Sequence, residues 1–146
     1  MHVNFFCNFH MMKHLLLLIL PLTLLLQRGK TGDATFADRF PPDVVREHSN
    51  AYLTITNSTD HDVIALVRGQ RDEYLRHVYI RTGEMHVFEK MPITRFYVQF
   101  KSRDFYFEDL ERTVMNYGER HTFEFFYDPK QAVSYKQITE EDFFRH

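Results

Sequence analysis

From residue 51 onward the chain alternates apolar and polar residues in short runs, and this period of two restricts its fold most strongly. AYLTITN, at residues 51–57, alternates and is rich in β-branched and aromatic residues, which is typical of a strand with one buried face. VIALVR, at residues 63–68, is apolar almost throughout and indicates a strand buried on both faces. Five more strands are predicted at 77–81, 85–90, 95–101, 121–128 and 132–138. About seven short strands separated by turns predict a single small all-β sandwich.

Residues 104–118 depart from the period of two. Leu110, Val114 and Tyr117 recur at helical spacing, and Gly118 suits the position that follows a helix. The first part of the stretch, FYF, alternates as a strand does. We expect a short strand there, followed by a turn or a short helix between the late strands.

The C-terminal residues predict one capped helical turn. Thr139 precedes three acidic residues, as a helix-capping residue does, and two aromatic rings follow at Phe143 and Phe144. We expect this turn to dock both rings on the sandwich.

An apolar run, LLLLILPLTLLL, begins at Leu15 and ends at Leu26. It is shorter than the roughly 20 apolar residues that a membrane-spanning helix needs. Gly32 and Ala34 are small residues at the −3 and −1 positions of a cleavage after Ala34. Residues 1–34 are therefore predicted to be a secretory signal peptide, and the protein is expected to be exported to the periplasm or the extracellular space.

An uncleaved N-terminal membrane anchor is the alternative, and contact with a membrane is expected only in that case. Residues 1–10 do not resemble the start of a signal peptide, and Met11 or Met12 would make a more ordinary first residue. Residues 35–50 contain a Pro-Pro pair and no clear period, so they are interpreted as a linker or N-terminal arm. The β-sandwich domain is expected to occupy residues 51–146.

The charge and the cysteine content exclude several partners and chemistries. The chain has 18 Lys and Arg against 20 Asp and Glu, with a formal net charge of −2, so we expect no nucleic-acid partner. Its one cysteine, Cys7, precedes the apolar run, so the exported part has neither a disulfide nor a thiol nucleophile. Secreted eukaryotic domains of this size often use disulfides, which favours a bacterial envelope protein.

The segment 77–90 predicts a β-hairpin around Gly83-Glu84, because a type II′ turn needs glycine at its first central position. Thr82-Gly83 is the alternative turn and leaves the two faces of the hairpin unchanged. Ile80 would then pair with Val87, and one face of the hairpin would carry aromatic and basic side chains. Such a face could bind a glycan, a peptide or another envelope protein, or it could be an ordinary mixed surface. The candidate contact residues are Tyr79, Arg81, His86, Phe88 and Lys90.

The stretch TGEMHVFEKMPITRFYVQF resembles the signature of carboxypeptidase-regulatory-like and PEGA-type β-modules. The matching positions are Gly83, Phe88, Met91, Pro92, Phe96 or Tyr97, and Val98. Over residues 52–144 the chain is also similar to small bacterial exported proteins, through 57–63, the YIR strand, Tyr117 with Gly118, and ITEEDF at 138–143. The resemblance implies a prealbumin-like sandwich without enzymatic activity, and it supplies no catalytic residues.

The sequence contains no motif that predicts catalysis, a cofactor or a metal. No HExxH, CxxC or G-x-S-x-G motif occurs, and Asp60-His61-Asp62 lies in a predicted turn, where these residue types serve local hydrogen bonding. We therefore expect an exported, non-enzymatic module that acts as an accessory or interaction protein of the cell envelope. A structural or assembly subunit that pairs through a strand edge is the first alternative. A small hydrolase with an unrecognised site is the second.

Overall fold

The computed structural model describes residues 28–126 and 134–145, in which nine β-strands form two packed sheets. The predicted all-β sandwich is confirmed. The strands are β1 (Tyr52–Asn57), β2 (Val63–Gly69), β3 (Tyr74–Ile80), β4 (Met85–Phe88), β5 (Thr94–Ser102), β6 (Phe105–Asp109), β7 (Thr113–Met115), β8 (Arg120–Phe125) and β9 (Tyr135–Ile138). The apolar run at 15–26, Cys7, and parts of the strands predicted at 121–128 and 132–138 lie outside the described residues.

The two sheets differ in size. The small sheet has the order β4–β1–β8, and β1 and β8 run parallel. The large sheet has the order β3–β2–β5–β6–β9, with every pair antiparallel, and β7 pairs with one end of β5. Its strands β2 and β5 are therefore the centre of the molecule.

The main core lies between the sheets. The small sheet contributes alternate residues such as Leu53 and Ile55, and the large sheet contributes Ala65, Val67 and Val98 to the same core. Each of these side chains is fully buried. The apolar residues of the alternating β1 sequence therefore face the core, and the residues between them face outward, as expected for a strand of a sandwich.

A second apolar cluster covers the opposite face of the large sheet. Ile64 and Leu66 of β2 point into it, and they meet Phe40, Phe143 and Phe144 from the two ends of the described chain. All seven residues of β2 are buried as a result. The prediction of a strand buried on both faces is confirmed for residues 63–68.

The predicted C-terminal turn is also confirmed, as helix α1 (Glu140–Phe143). Thr139 accepts a hydrogen bond from the Asp142 backbone N–H, and the Asp142 side chain reaches back to the Thr139 backbone, which forms a capping box. Within the described residues, no helix is long and apolar enough to cross a membrane.

The predicted hairpin at 77–90 is wrong. β3 belongs to the large sheet, where Ile80 pairs with Val63 of β2, whereas β4 belongs to the small sheet, where Phe88 pairs with Leu53 of β1. The connection between β3 and β4 is therefore an arch from one sheet to the other. Because both a hairpin and an arch need a tight glycine turn, the local sequence does not distinguish them.

The central residues of the turn are Thr82 and Gly83, which is the alternative to the preferred type II′ turn at Gly83-Glu84. The Glu84 N–H donates to the Arg81 carbonyl over 3.1 Å, and Gly83 has a φ of 74°. Gly83 is therefore the second central residue, as in a type II turn, where a positive φ favours glycine. In the predicted hairpin, Met85 and Val87 share a face with Ile80, and Phe88 lies on the opposite face. In the structure, Phe88 of β4 is buried, and Met85 and Val87 are exposed.

The helical interpretation of residues 104–118 is wrong, although the short strand predicted before it is present as β6. The apolar residues at helical spacing lie instead in loops and in β7, where Val114 pairs with Arg95 of β5. Gly118, with a φ of 76°, lies in the turn before β8. Leu110, Val114 and Tyr117 are all exposed, so no helix face is buried.

Substitution of Phe143 by alanine tests the second cluster. The Phe143 ring is fully buried and packs on Tyr106, with 5.2 Å between ring centroids, so the substitution leaves a cavity. We expect the free energy of unfolding in urea to fall by about 3–5 kcal/mol. Phe105→Ala is the control, because this ring is 53% exposed, and we expect a change of about 0.5 kcal/mol at most. Equal losses in the two variants would contradict the second core.

Candidate functional site

The five residues of the predicted contact face do not share a face. Tyr79 and Arg81 lie at the end of β3, and His86 and Phe88 lie on β4 of the other sheet. Phe88 is buried in the main core. Lys90, which follows β4, forms an ion pair with the Glu47 carboxylate.

Residues 28–34, which we call the leading segment, cover part of this predicted face. The Gly32 N–H donates to the Tyr79 carbonyl over 3.0 Å, and the Tyr79 N–H donates to the Asp33 carbonyl over 2.9 Å. Nε of Arg81 donates to the Gly29 carbonyl over 2.7 Å. The leading segment thus pairs with the outer edge of β3 in the manner of a short added strand.

Glycine at position 29 makes this contact possible. A Cβ atom at Gly29 would lie 2.9 Å from the nearest carbon of the Tyr79 ring, which is closer than packed atoms allow. A Cβ atom at Gly32 would lie 3.8 Å from His86 Nδ1, which is an ordinary contact distance. The leading segment therefore lies against Tyr79, Arg81 and His86.

Asp62 connects the leading segment to the sandwich. Its carboxylate accepts hydrogen bonds from the Arg28 guanidinium, with Nε at 2.7 Å, from the Tyr79 hydroxyl and from the Thr82 N–H at 3.0 Å. The Arg28 hydrogen bond, opposed by partial burial and assisted by Tyr79, holds the pKa of Asp62 well below its usual range. Residues 60–62 therefore organise a turn, and no group of three side chains that could hold a metal ion occurs among the described residues.

A polar cavity of about 250 Å³ opens beside Arg68 of β2, on the face that carries the second cluster. The Arg68 side chain is 1% exposed. Its Nε donates to Gln99 Oε1 and its Nη1 to the Asp72 carbonyl, each over 2.8 Å, while Nη2 donates to the carbonyls of Phe143 and Arg145 over 2.8 and 2.9 Å. Every acceptor is uncharged. Burial lowers the pKa of Arg68.

Glu108 of β6 forms the opposite wall of this polar cavity. Its Oε2 accepts a hydrogen bond from Gln99 Nε2 over 2.8 Å, and its Oε1 accepts from Arg112 Nη2 and from Lys136 Nζ over 3.0 and 3.1 Å. Burial opposes ionisation of Glu108, but the hydrogen bonds from Gln99, Lys136 and Arg112 outweigh it and hold its pKa below the usual value. The wall is therefore an ionised carboxylate shared by two cations.

Asp43, Tyr74 and His77 form a hydrogen-bonded chain beside a depression of about 240 Å³. The Tyr74 hydroxyl donates to the Asp43 carboxylate, and His77 Nδ1 lies 2.7 Å from the same hydroxyl oxygen. Nε2 of His77 is buried beside the backbone of Ala34 and Thr35, without a hydrogen bond of good geometry among the described residues. The three side chains can relay a proton, but they include no serine or cysteine nucleophile.

An open groove of about 570 Å³ lies at the end of the sandwich where β3 begins. Leu75 and Pro92 form its buried floor, and Val44 lines one side. Two large side chains on its wall are exposed, Ile93 at 51% and Tyr117 at 69%. In this groove a cavity and two exposed large apolar side chains coincide.

Neither the polar cavity nor the groove was expected from the sequence. Arginine is normally exposed, so Arg68 at the end of an apolar strand carries only a weak signal of burial. The groove joins residues that are distant along the chain, such as Val44 and Tyr117, and no local pattern connects them. A scan against protein-family models and a search of curated proteins found no match for this chain.

The pH dependence of stability tests the buried His77. Burial lowers its pKa in the folded state, which the Asp43 charge and the neighbouring backbone only partly oppose. The unfolded chain therefore takes up a proton near the ordinary histidine pKa of about 6.5, where the folded chain does not, so stability falls as the pH drops from about 7 to 5.

We expect His77→Gln to reduce this slope, measured as the urea midpoint at several pH values. Part of the slope will remain, because burial and the nearby Arg76 also lower the pKa of His86. An identical slope in wild type and variant would contradict the assignment.

Proposed function

We propose that this chain is an exported, non-enzymatic β-sandwich module that acts as an accessory or interaction protein of the cell envelope. The groove at the start of β3 is the observation that supports the proposal. Binding sites are typically concave and lined mainly by apolar side chains with a few polar groups, as this groove is. The resemblance to carboxypeptidase-regulatory-like and PEGA-type modules, which implies no enzymatic activity, agrees with this proposal.

The chemistry of the groove favours an apolar segment of a protein partner over a glycan. Apolar atoms contribute most of its exposed surface. The apolar lining residues are Val44, Leu75, Pro92, Ile93 and Tyr117, and the polar ones are Arg46, His48, Ser49, Glu73 and Thr94. An apolar centre with a polar rim is the usual anatomy of a protein interface. Covering the exposed half of the Ile93 side chain would contribute about 1 kcal/mol, which is roughly half of what burial of a fully exposed isoleucine gives. Ile93 and Tyr117 are the expected anchors.

Photocross-linking from position 117 tests this proposal in cells that naturally make the protein. We expect a photoreactive residue in place of Tyr117 to give one discrete adduct with another envelope protein. Ile93→Asp should abolish this adduct, because it places a charge against the apolar surface that the partner covers.

Leu110→Asp is the matched control, because Leu110 is 58% exposed and does not line the groove. We expect this variant to keep the adduct. Loss of the adduct in both variants, or its persistence in Ile93→Asp, would count against the groove as the contact site. Both variants replace an exposed aliphatic residue, so they should fold equally well.

Assembly through a strand edge is the second candidate, and the leading segment supports it. The outer edge of β3 already accepts an extended backbone through its bonds to Gly32 and Asp33. The predicted cleavage after Ala34 would remove this backbone and leave the edge free for a partner strand. The edge strands β4 and β9 have four residues each, and edges this short are poor templates for pairing.

A protease site inserted after Ala34 tests this second candidate. Once the leading segment has been cut off, we expect a labelled RGKTGD peptide, which is the sequence of residues 28–33, to bind with a rise in fluorescence anisotropy. The uncut chain should not bind the peptide, because its own segment occupies the edge. Asp62→Asn should weaken binding, because it removes the charge that pairs with Arg28. Equal binding to cut and uncut protein would contradict the edge as a docking site.

A further inference from the structure

We propose that the polar cavity beside Arg68 binds a small organic anion through its carboxylate or phosphate group. This inference goes beyond the proposed contact function, because the polar cavity and the groove are lined by different residues.

The first support is a buried cation that no carboxylate of residues 28–126 and 134–145 contacts through a hydrogen bond. The guanidinium of Arg68 is 1% exposed, and each of its hydrogen bonds ends on a carbonyl or amide oxygen. Removing a cation from water is costly unless an anion compensates it. An anion in the adjoining polar cavity would supply this compensation at short range and low local dielectric.

The second support is the balance of charges around the polar cavity. Four cationic side chains line it against three carboxylates, which leaves one net positive charge although Arg145 is paired with Asp142. The cations are Arg68, Arg112, Lys136 and Arg145, and the acids are Asp72, Glu108 and Asp142. Glu108 is already shared by two of these cations, Arg112 and Lys136, and the Lys136 ammonium keeps donors that Glu108 does not use.

The third support is the fixed position of Arg112 at the mouth. Its guanidinium lies 3.6 Å from the centroid of the Tyr97 ring, and its Nη1 donates to the Asp109 carbonyl over 2.6 Å. The Tyr97 hydroxyl is itself held by Asp72 at 2.7 Å. A stacked, hydrogen-bonded arginine is already oriented for an oxyanion and loses little freedom on binding one.

The size of the polar cavity restricts the ligand to a small molecule. A volume of about 250 Å³ lies just below the range of about 300–1,000 Å³ that is typical of pockets for drug-sized ligands. The ligand is therefore a small metabolite with one oxyanion group, not a polymer. Carboxylates and phosphate esters share this oxyanion chemistry, and the experiment separates them.

Titration of the full-length protein with inorganic phosphate and with acetate tests the proposal, with chloride at the same ionic strength as the reference. We expect one of the two oxyanions to raise the thermal unfolding midpoint in a saturable way, and to move the NMR signal of the Gln99 side-chain amide. A response to phosphate alone identifies a phosphate ester, and a response to acetate identifies a carboxylate.

Lys136→Gln is the test variant, because Lys136 is exposed at the mouth and its replacement should not disturb folding as that of Arg68 would. We expect it to weaken oxyanion binding about tenfold. Lys90→Gln is the control, since it removes one charge from another ion pair, with Glu47, outside the polar cavity. Midpoints in phosphate and acetate equal to those in chloride, or equal weakening by the two substitutions, would overturn the proposal.

Discussion

The burial of β2 on both of its faces determines most of this structure. VIALVR places apolar residues on both sides of one strand, so each side needs its own cover. The small sheet covers one side, and a small sandwich needs no more than that. The other side is covered by Phe40 from the arm and by Phe143 and Phe144 after the last strand. Both ends of the described domain are therefore brought back to the same strand.

The cover on this face of β2 also buries a charged side chain, that of Arg68. Arg68 follows Ile64 and Leu66 on the face of β2 that the terminal segments cover, so its guanidinium is buried with them. Helix α1 ends beside it and offers the carbonyls of Phe143 and Arg145, which have no partner within so short a helix. The same arginine thus caps the last turn and provides the positive floor of the polar cavity. Stability and the proposed binding site share one side chain.

Features that depend on local sequence could be predicted, and features that depend on strand partners could not. The period of two predicted β1, and the apolar run predicted β2. Thr139 followed by three acidic residues and two phenylalanines predicted α1. The hairpin at 77–90 was wrong because Gly83 serves a type II turn in an arch as readily as a type II′ turn in a hairpin. The choice was made by β1, since Leu53 pairs with Phe88 and draws β4 into the other sheet. No local sequence pattern shows whether β4 pairs with β3 or with β1.

The residues of the predicted contact face are placed on two sheets for a related reason, and their positions connect two parts of the chain. Tyr79 and Arg81 of the large sheet and His86 of the small sheet all lie against residues 28–34, which were interpreted from the sequence only as the exit of a signal peptide. Gly32 and Ala34 mark the predicted cleavage site, while the Gly32 N–H also bonds to the edge of β3. The predicted cleavage site and the residues that cover this edge are therefore the same few residues. A cut after Ala34 would separate Asp62 from Arg28 and uncover Tyr79 in a single step, so export and exposure of a binding edge would be coupled.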